Sequence, residues 1–268
     1  MSRNAPIGVF DSGVGGLTVA RELMRQMPME QIVYFGDTAR VPYGSKSKET
    51  IILFSRQITK FLLTKDVKAI VIACNTASSF ALDTIREELS IPVIGVIKPG
   101  AITAAQTTKN GRIGIIGTQG TINSGIYTRI LTEINPELQV YEKACPLFAN
   151  LVEEGWLYDS VTIEIAERYL NELQGYEVDS LVLGCTHYPL LRHTIQKVMG
   201  PDVTLVNPAF ETAKHTKDVL LENGLECSEQ MPAHKFYVSD GAEKFKAFAN
   251  TILPCEVEEA KGIDIEQY

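Results

Sequence analysis

The sequence predicts an α/β protein built from two similar doubly wound units that are related by internal duplication, with the active site in the cleft between them. Short apolar runs alternate with segments of helical periodicity, which is typical of buried parallel strands joined by helices. The run at 69–72 leads into Cys74, and the run at 180–183 leads into Cys185 in the same way. Each cysteine is therefore predicted at the end of a strand, the edge where open α/β sheets carry their sites.

The first unit opens with a strand at 7–10, which the run at 113–116 repeats. Asp11 follows in a glycine-rich turn at 11–17, where exposed amides at a helix start suit an anion, although helix capping also explains an acid there. Position 18 is Thr, so the glycine pattern of a dinucleotide site is incomplete. The other predicted elements are strands at 32–35, 69–72 and 92–96, a polar loop at 36–44, and a helix with an apolar stripe from 51 to 62.

The second unit repeats this order after a predicted crossing at 98–100. Its predicted elements are strands at 113–116, 138–143, 180–183 and 203–206, and helices at about 121–134, before 155 and around 163–170. We expect the segment after 208 to return to the first unit, because no third unit exists for it to join. The predicted domains are 1–97 together with 209–268, and 98–208. The acidic tail from 256 is expected to be loosely held.

Composition narrows the classes of function. The chain has 268 residues, a formal net charge of −8 and a pI of about 5.2, which argue against nucleic-acid and anionic membrane surfaces. No apolar run is long enough to span a bilayer and the N-terminus lacks a signal-peptide pattern, so we expect a cytoplasmic protein. The five cysteines are scattered without a Cys-x-x-Cys pair, so neither a disulfide framework nor a structural zinc site is predicted.

Two thiols that face one cleft have three common uses: a redox disulfide, metal binding, or acid–base chemistry on opposite faces of one carbon. Racemisation needs the third use, with one thiolate and one thiol. A helix N-terminus lowers a thiol pKa from its usual value near ~8.5, which makes one thiolate attainable at neutral pH. A metal- or redox-sensing protein that uses Cys74, Cys185 and His187 is the alternative outside enzymes. Hydrogen-bonding side chains that could hold a carboxylate flank both thiols: Ser12, Asn75, Thr76 and Thr186.

Four motifs, at 11–17, 41–44, 73–78 and 184–191, carry a resemblance that extends over nearly the whole chain. With these motifs the sequence resembles the glutamate racemases of the cofactor-independent aspartate/glutamate racemase superfamily. It departs from the family pattern at Ser45, where Pro is common, and in the C-terminal tail. An aspartate racemase or another amino-acid racemase is the alternative among enzymes.

The resemblance implies that Cys74 and Cys185 transfer the proton, with Cys74 facing the α-hydrogen of D-glutamate. It also implies that Asp11 and His187 assist the thiols and that Glu153 lies nearby, with the adjacent Glu154 as the alternative. The substrate contacts that it implies are Asp11, Ser12, Tyr43, Gly44, Asn75, Thr76, Thr186 and His187. Its further implications are L-glutamate and D-glutamate as ligands, no cofactor or metal, a homodimer, and D-glutamate supply for peptidoglycan synthesis.

Overall fold

Two parallel sheets form the framework of the protein in this computed structural model, which describes residues 2–229 and 233–268. Within those residues, the first sheet has six strands in the order β10-β9-β2-β1-β3-β4. Their bounds are β1 (Ile7–Asp11), β2 (Ile32–Gly36), β3 (Ala69–Ile72), β4 (Val93–Gly95), β9 (Lys235–Val238) and β10 (Ala260–Gly262). The pairing of β9 with β2 shows that the chain returns to the first sheet after it leaves the second.

The second sheet has the order β6-β5-β7-β8, and its strands are also parallel. Their bounds are β5 (Arg112–Gly117), β6 (Gln139–Ala144), β7 (Ser180–Gly184) and β8 (Thr204–Val206). β5 lies between β6 and β7 as β1 lies between β2 and β3. The repeated topology confirms the predicted duplicated α/β fold.

Helices pack against the sheets and connect the strands. Their bounds are α1 (Leu17–Gln26), α2 (Lys48–Leu63), α3 (Asn75–Glu88), α4 (Ile97–Thr107), α5 (Gln119–Asn123), α6 (Ile126–Ile134), α7 (Leu147–Glu153), α8 (Ser160–Gly175), α9 (Arg192–Met199), α10 (Pro208–Glu222) and α11 (Ala242–Ile252). The central strands β1, β3 and β7 are buried along their whole length, which explains their continuous apolar runs. The predicted stripe on α2 is confirmed, since Ile51, Ile58 and Phe61 are buried.

Two predicted connections differ from the structure. The segment 98–100 is not a loop but lies in the first turn of α4, where Pro99 is tolerated because amides there have no partner within the helix. The helix predicted at about 121–134 is two helices, α5 and α6. Gly125 separates them with a φ of +59°, a left-handed conformation that interrupts the helix. The domain boundaries at 97/98 and 208/209 stay a prediction.

The expectation of a loosely held tail is wrong. β10 extends the first sheet beside β9, and the side chains of Val257 and Ile265 are buried. The ring of Tyr268 packs edge-on against Phe61 of α2, with centroids 5.3 Å apart. The acidic residues of this segment alternate with apolar residues that join the core, so net charge was a poor guide to its order.

Candidate active site

One cavity between the two sheets brings together most of the predicted site residues. Its lining includes Ser12, Tyr43, Gly44, Cys74, Asn75, Thr76, Glu153, Cys185, Thr186 and His187. Cys74 follows β3 of the first sheet and Cys185 follows β7 of the second. The two thiols therefore reach the same space from different sheets, as the duplicated pattern predicts.

Cys74 lies at the N-terminus of α3, as the residue before its first turn. Its Sγ accepts a hydrogen bond from the backbone N–H of Ala77 at 3.5 Å and lies 3.6 Å from Ser12 Oγ. Burial, reinforced by the nearby Asp11 carboxylate, nevertheless raises the pKa of Cys74 to about 12. The helix start does lower the pKa of Cys74 through the Ala77 N–H, as expected, but burial outweighs it and favours the protonated thiol at neutral pH.

Cys185 has a different local structure. A short 3₁₀ turn (Tyr188–Leu191) comes between it and α9, so Cys185 does not cap an α-helix directly. Its Sγ lies 3.7 Å from Nδ1 of His187. The nearest partner of this thiol is thus an imidazole and not a helix start.

Glu153 holds the other side of the His187 ring, with its Oε1 3.0 Å from Nε2. Burial alone would lower the pKa of His187, but the hydrogen bonds to Cys185 and Glu153 outweigh it and raise the pKa to about 10. The hydrogen bond from His187 lowers the pKa of Glu153 below its ordinary value. Glu153 is half-buried whereas Glu154 is exposed, so the structure brings the first of the two candidate glutamates to the site.

Asp11 ends β1 and is fully buried behind the cavity wall. Its Oδ2 accepts from the Gly13 N–H at 3.0 Å, and its Oδ1 accepts from Thr186 Oγ1 at 3.4 Å. Burial raises the pKa of Asp11, and the positive charge of His187 opposes that rise. Asp11 thus lies in the first sheet but contacts the second cysteine motif.

The loop after β2 forms another wall through a group that the sequence analysis missed. The hydroxyl of Tyr43 donates to the fully buried Asp37 carboxylate, which also forms an ion pair with Arg40 at 2.7 Å. The Ser239 hydroxyl donates to the same carboxylate at 2.8 Å. Tyr43 lines the cavity while its hydroxyl is bound to Asp37. The missed signal was an acid directly after a strand, one position further along than Asp11 at the end of β1.

A group of threonines from both units completes the cavity. Thr76 Oγ1 lies 2.8 Å from Thr118 Oγ1, which in turn lies 3.1 Å from Thr121 Oγ1. Gly44 fits against this group because a Cβ at that position would lie 2.7 Å from the Cβ of Thr118. Thr118 and Thr121 were also missed, although Thr118 directly follows β5. The cavity therefore offers several hydroxyl groups beside the N-terminal amides of α3, a suitable setting for carboxylates.

Neither a cluster of metal-ligating side chains nor a membrane-spanning helix is found in the described parts of the chain. Across 2–229 and 233–268, no group of three or more His, Cys, Asp or Glu side chains is arranged to hold a metal ion. None of the helices in those same ranges has both the length and the apolar character needed to cross a membrane.

Comparisons with known proteins agree with this geometry. Residues 9–216 match the family model described as Asp/Glu/Hydantoin racemase. The glutamate racemase of Geobacter metallireducens is 47% identical over 261 residues, covering 97% of each chain. The glutamate racemase structure from Bacillus anthracis superposes with a TM-score of 0.94 at 42% identity, covering 98% of each chain. The structure from Francisella tularensis in complex with D-glutamate gives a TM-score of 0.93 at 40% identity, covering 99% of this chain and 100% of that one. The chain therefore belongs to the Asp/Glu/hydantoin racemase family, among the glutamate racemases, and is an isomerase.

Proposed function

We propose that the protein interconverts L-glutamate and D-glutamate by proton transfer between Cα and two cysteines, Cys74 and Cys185. The observation that carries the proposal is the arrival of two thiols from two sheets in one cavity. In a two-base inversion, a base acts on one face of the carbon and an acid on the other, and a single thiol cannot occupy both faces.

With L-glutamate, the sulfur of Cys185 acts as a thiolate and takes the α-proton, so that the Cα–H bond breaks and an S–H bond forms. The Cys74 thiol then donates its proton to the opposite face, which completes D-glutamate and leaves a thiolate at Cys74. The reverse reaction uses the same two steps in the opposite order. The high pKa of Cys74, about 12, keeps this thiol protonated at neutral pH, which is the state that the first direction requires.

The rest of the cavity can bind the two carboxylates of glutamate. The amides at the start of α3 and the hydroxyls of Ser12 and Thr186 lie near the thiols, and the threonine group of Thr76, Thr118 and Thr121 lies beside Gly44. The Francisella tularensis relative in complex with D-glutamate supports glutamate as the substrate. Aspartate is the alternative, one methylene shorter, and only the assay distinguishes the two.

We further propose that the reaction needs no cofactor, that the protein acts in the bacterial cytosol as a homodimer, and that its D-glutamate enters peptidoglycan. The cofactor proposal has a direct check. Dialysis against a chelator followed by a carbonyl-trapping reagent should leave the rate unchanged. A loss that pyridoxal phosphate or a divalent metal restores would contradict it.

Circular dichroism of the purified protein with L-glutamate and, separately, L-aspartate tests the reaction and its substrate. We expect loss of optical activity with glutamate and a far slower change with aspartate. In heavy water at early times, the product enantiomer should carry deuterium at Cα while the remaining substrate carries almost none. Equal early labelling of both pools would show a single base that exchanges with solvent.

A further inference from the structure

Tyr127 of α6 lies between the two cysteine motifs and was not among the predicted site residues. Its hydroxyl donates a 2.8 Å hydrogen bond to Oδ1 of Asn75, the residue after Cys74. Its ring packs against the backbone before Cys185, since a Cβ built on Gly184 would lie 3.4 Å from Tyr127 Cε2. Tyr127 and Asn75 are only 1% and 4% exposed, so solvent does not compete for their hydrogen bond.

The hydrogen bond decides which end of the Asn75 amide is available to a ligand. Burial, with a contribution from the charge of Cys185, raises the pKa of Tyr127 well above its ordinary value, so the hydroxyl keeps its proton and remains a donor. A donor on Oδ1 leaves the Nδ2 protons free. Within residues 2–229 and 233–268, no protein group accepts a hydrogen bond from Asn75 Nδ2.

An amide with its oxygen held and its NH₂ free suits a carboxylate, because the NH₂ group donates and carries partial positive charge. Without the tyrosine hydroxyl the amide could rotate and present its oxygen to the substrate. A carbonyl oxygen facing a carboxylate oxygen is repulsive and leaves both without a donor.

We infer that Tyr127 is a positioning residue for substrate binding: its hydroxyl orients the Asn75 amide so that Nδ2 binds a carboxylate of glutamate. Its ring lies beside Gly184, at the start of the Cys185 motif. The role rests on the proposed racemisation of glutamate. In this role Tyr127, from the second unit, holds the side chain of Asn75, from the first unit.

Tyr127→Phe removes the hydroxyl and keeps the ring contact. We expect the KM for both enantiomers to rise about tenfold, with a smaller change in kcat, because the lost hydrogen bond to Asn75 weakens substrate binding. The fall in kcat/KM must be equal in the two directions, since the enantiomers have equal free energies in water. In an Asn75→Ala background, Tyr127→Phe should cause no further fall, because the amide that it orients is absent.

Tyr188→Phe is the matched control. Tyr188 is also buried, and its hydroxyl donates at 2.8 Å to a backbone carbonyl, that of Cys145. Tyr188→Phe should change kcat/KM by the same factor with and without Asn75→Ala, because the Tyr188 hydroxyl does not contact the Asn75 amide. Thermal unfolding of every variant shows whether each is folded.

Binding gives a second measurement that does not need turnover. In the Cys74→Ser/Cys185→Ser protein, calorimetric titration with D-glutamate should show about tenfold weaker binding when Tyr127→Phe is added. Unchanged binding and KM, or an equal loss with and without Asn75→Ala, would overturn the role of Tyr127. Failure of the unmodified chain to racemise glutamate would instead overturn the proposed function, so the two failures are distinguishable.

Discussion

The two thiol sites occupy equivalent places in the duplicated fold, yet their surroundings differ in charge. Cys74 caps α3 beside Ser12, with the buried Asp11 carboxylate nearby, and burial and that carboxylate raise its pKa to about 12. Cys185 lies 3.7 Å from His187, whose pKa of about 10 keeps the ring protonated at neutral pH. One sulfur thus faces a cation and the other has an acidic residue nearby.

The difference shows how duplicated units can hold unlike protonation states. A two-base racemase needs one sulfur that is ready to donate a proton and one that is ready to accept it. Two identical sites would compete equally for a single proton, whereas unlike neighbours give the pair a preferred arrangement. The protonated His187 favours negative charge on its side of the cavity, and the high pKa of Cys74 keeps the proton on the other side.

The largest expected effect tests whether the two unlike sites are equally necessary. Cys74→Ser and Cys185→Ser should each lower kcat/KM for both enantiomers by about 10³-fold or more, because a serine hydroxyl is a far weaker acid and base partner. Cys145→Ser is the control, since Cys145 is a buried thiol in the core of the second unit. It should change kcat/KM by no more than a few-fold. Substantial activity in either site variant would reject the pairing.

A smaller effect tests what holds the cation on the Cys185 side. Glu153→Gln removes the negative charge from the 3.0 Å contact with His187 Nε2, and we expect kcat/KM to fall about ten- to a hundredfold. Glu154→Gln is the matched control, because the neighbouring Glu154 is exposed and directly follows α7. Steady-state kinetics on both enantiomers gives the comparison. Equal losses in the two variants would show that Glu153 has no special role.

The sequence was sufficient to predict the fold and most of the candidate residues that line the cavity. Apolar runs, glycine turns and capping residues are local signals, and they placed Cys74 and Cys185 correctly at strand ends. The resemblance then named ten of the residues that line the cavity. The pKa of a thiol, by contrast, could not be predicted from the residues next to it in the sequence. The high pKa of Cys74 comes from burial and from a carboxylate on another strand, which outweigh the helix start.

The residues that sequence reasoning missed act through contacts between distant parts of the chain. Asp37 binds Ser239 of the C-terminal segment, and Tyr127 binds Asn75 of the other unit. Nothing in the neighbourhood of either residue in the sequence indicates those partners. The order of the C-terminal tail was missed for the same reason. Its apolar residues pack against β9 and Phe61, which are distant in the sequence.

A third prediction concerns stability and its dependence on pH. The folded protein raises the pKa of His187 from 6.5 to about 10, so the folded state holds the proton more tightly than the unfolded state. The resulting stabilisation is complete below pH 6.5 and is lost as the pH rises towards and through about 10. Between pH 7 and pH 9, the free energy of unfolding should fall by up to about 1.4 kcal/mol per pH unit.

His187→Asn should remove this part of the pH dependence. The raised pKa of Cys74 begins to contribute as the pH approaches its ordinary value of 9.0, but it is present in both proteins and cancels in the comparison, and the lowered pKa of Glu153 contributes only in acid. Denaturant unfolding of both proteins at pH 7 and pH 9 measures the difference. Parallel losses in the two proteins would show that His187 is not held as a cation in the fold.

The last prediction asks whether each thiol has its own helper. Asp11 belongs to the first sheet with Cys74, but its carboxylate also accepts from Thr186 beside Cys185. A directional defect cannot appear in kcat/KM, which must remain equal for the two enantiomers in every variant. It can appear in isotope effects on kcat/KM, which report how far each proton transfer limits the rate. These changes are the smallest of the set, severalfold at most.

If Asp11 assists Cys74, Asp11→Asn makes transfer at Cys74 more rate-limiting. The isotope effect with Cα-deuterated D-glutamate, whose deuterium leaves to Cys74, should then rise. The effect with Cα-deuterated L-glutamate should fall, because transfer to Cys185 becomes relatively fast. His187→Asn should show the reverse pattern, since its ring contacts Cys185. If both variants shift both isotope effects alike, Asp11 and His187 serve the two thiols jointly. The contact between Asp11 and Thr186 would then be the structural reason, because it joins β1, in the sheet that carries Cys74, to the Cys185 motif.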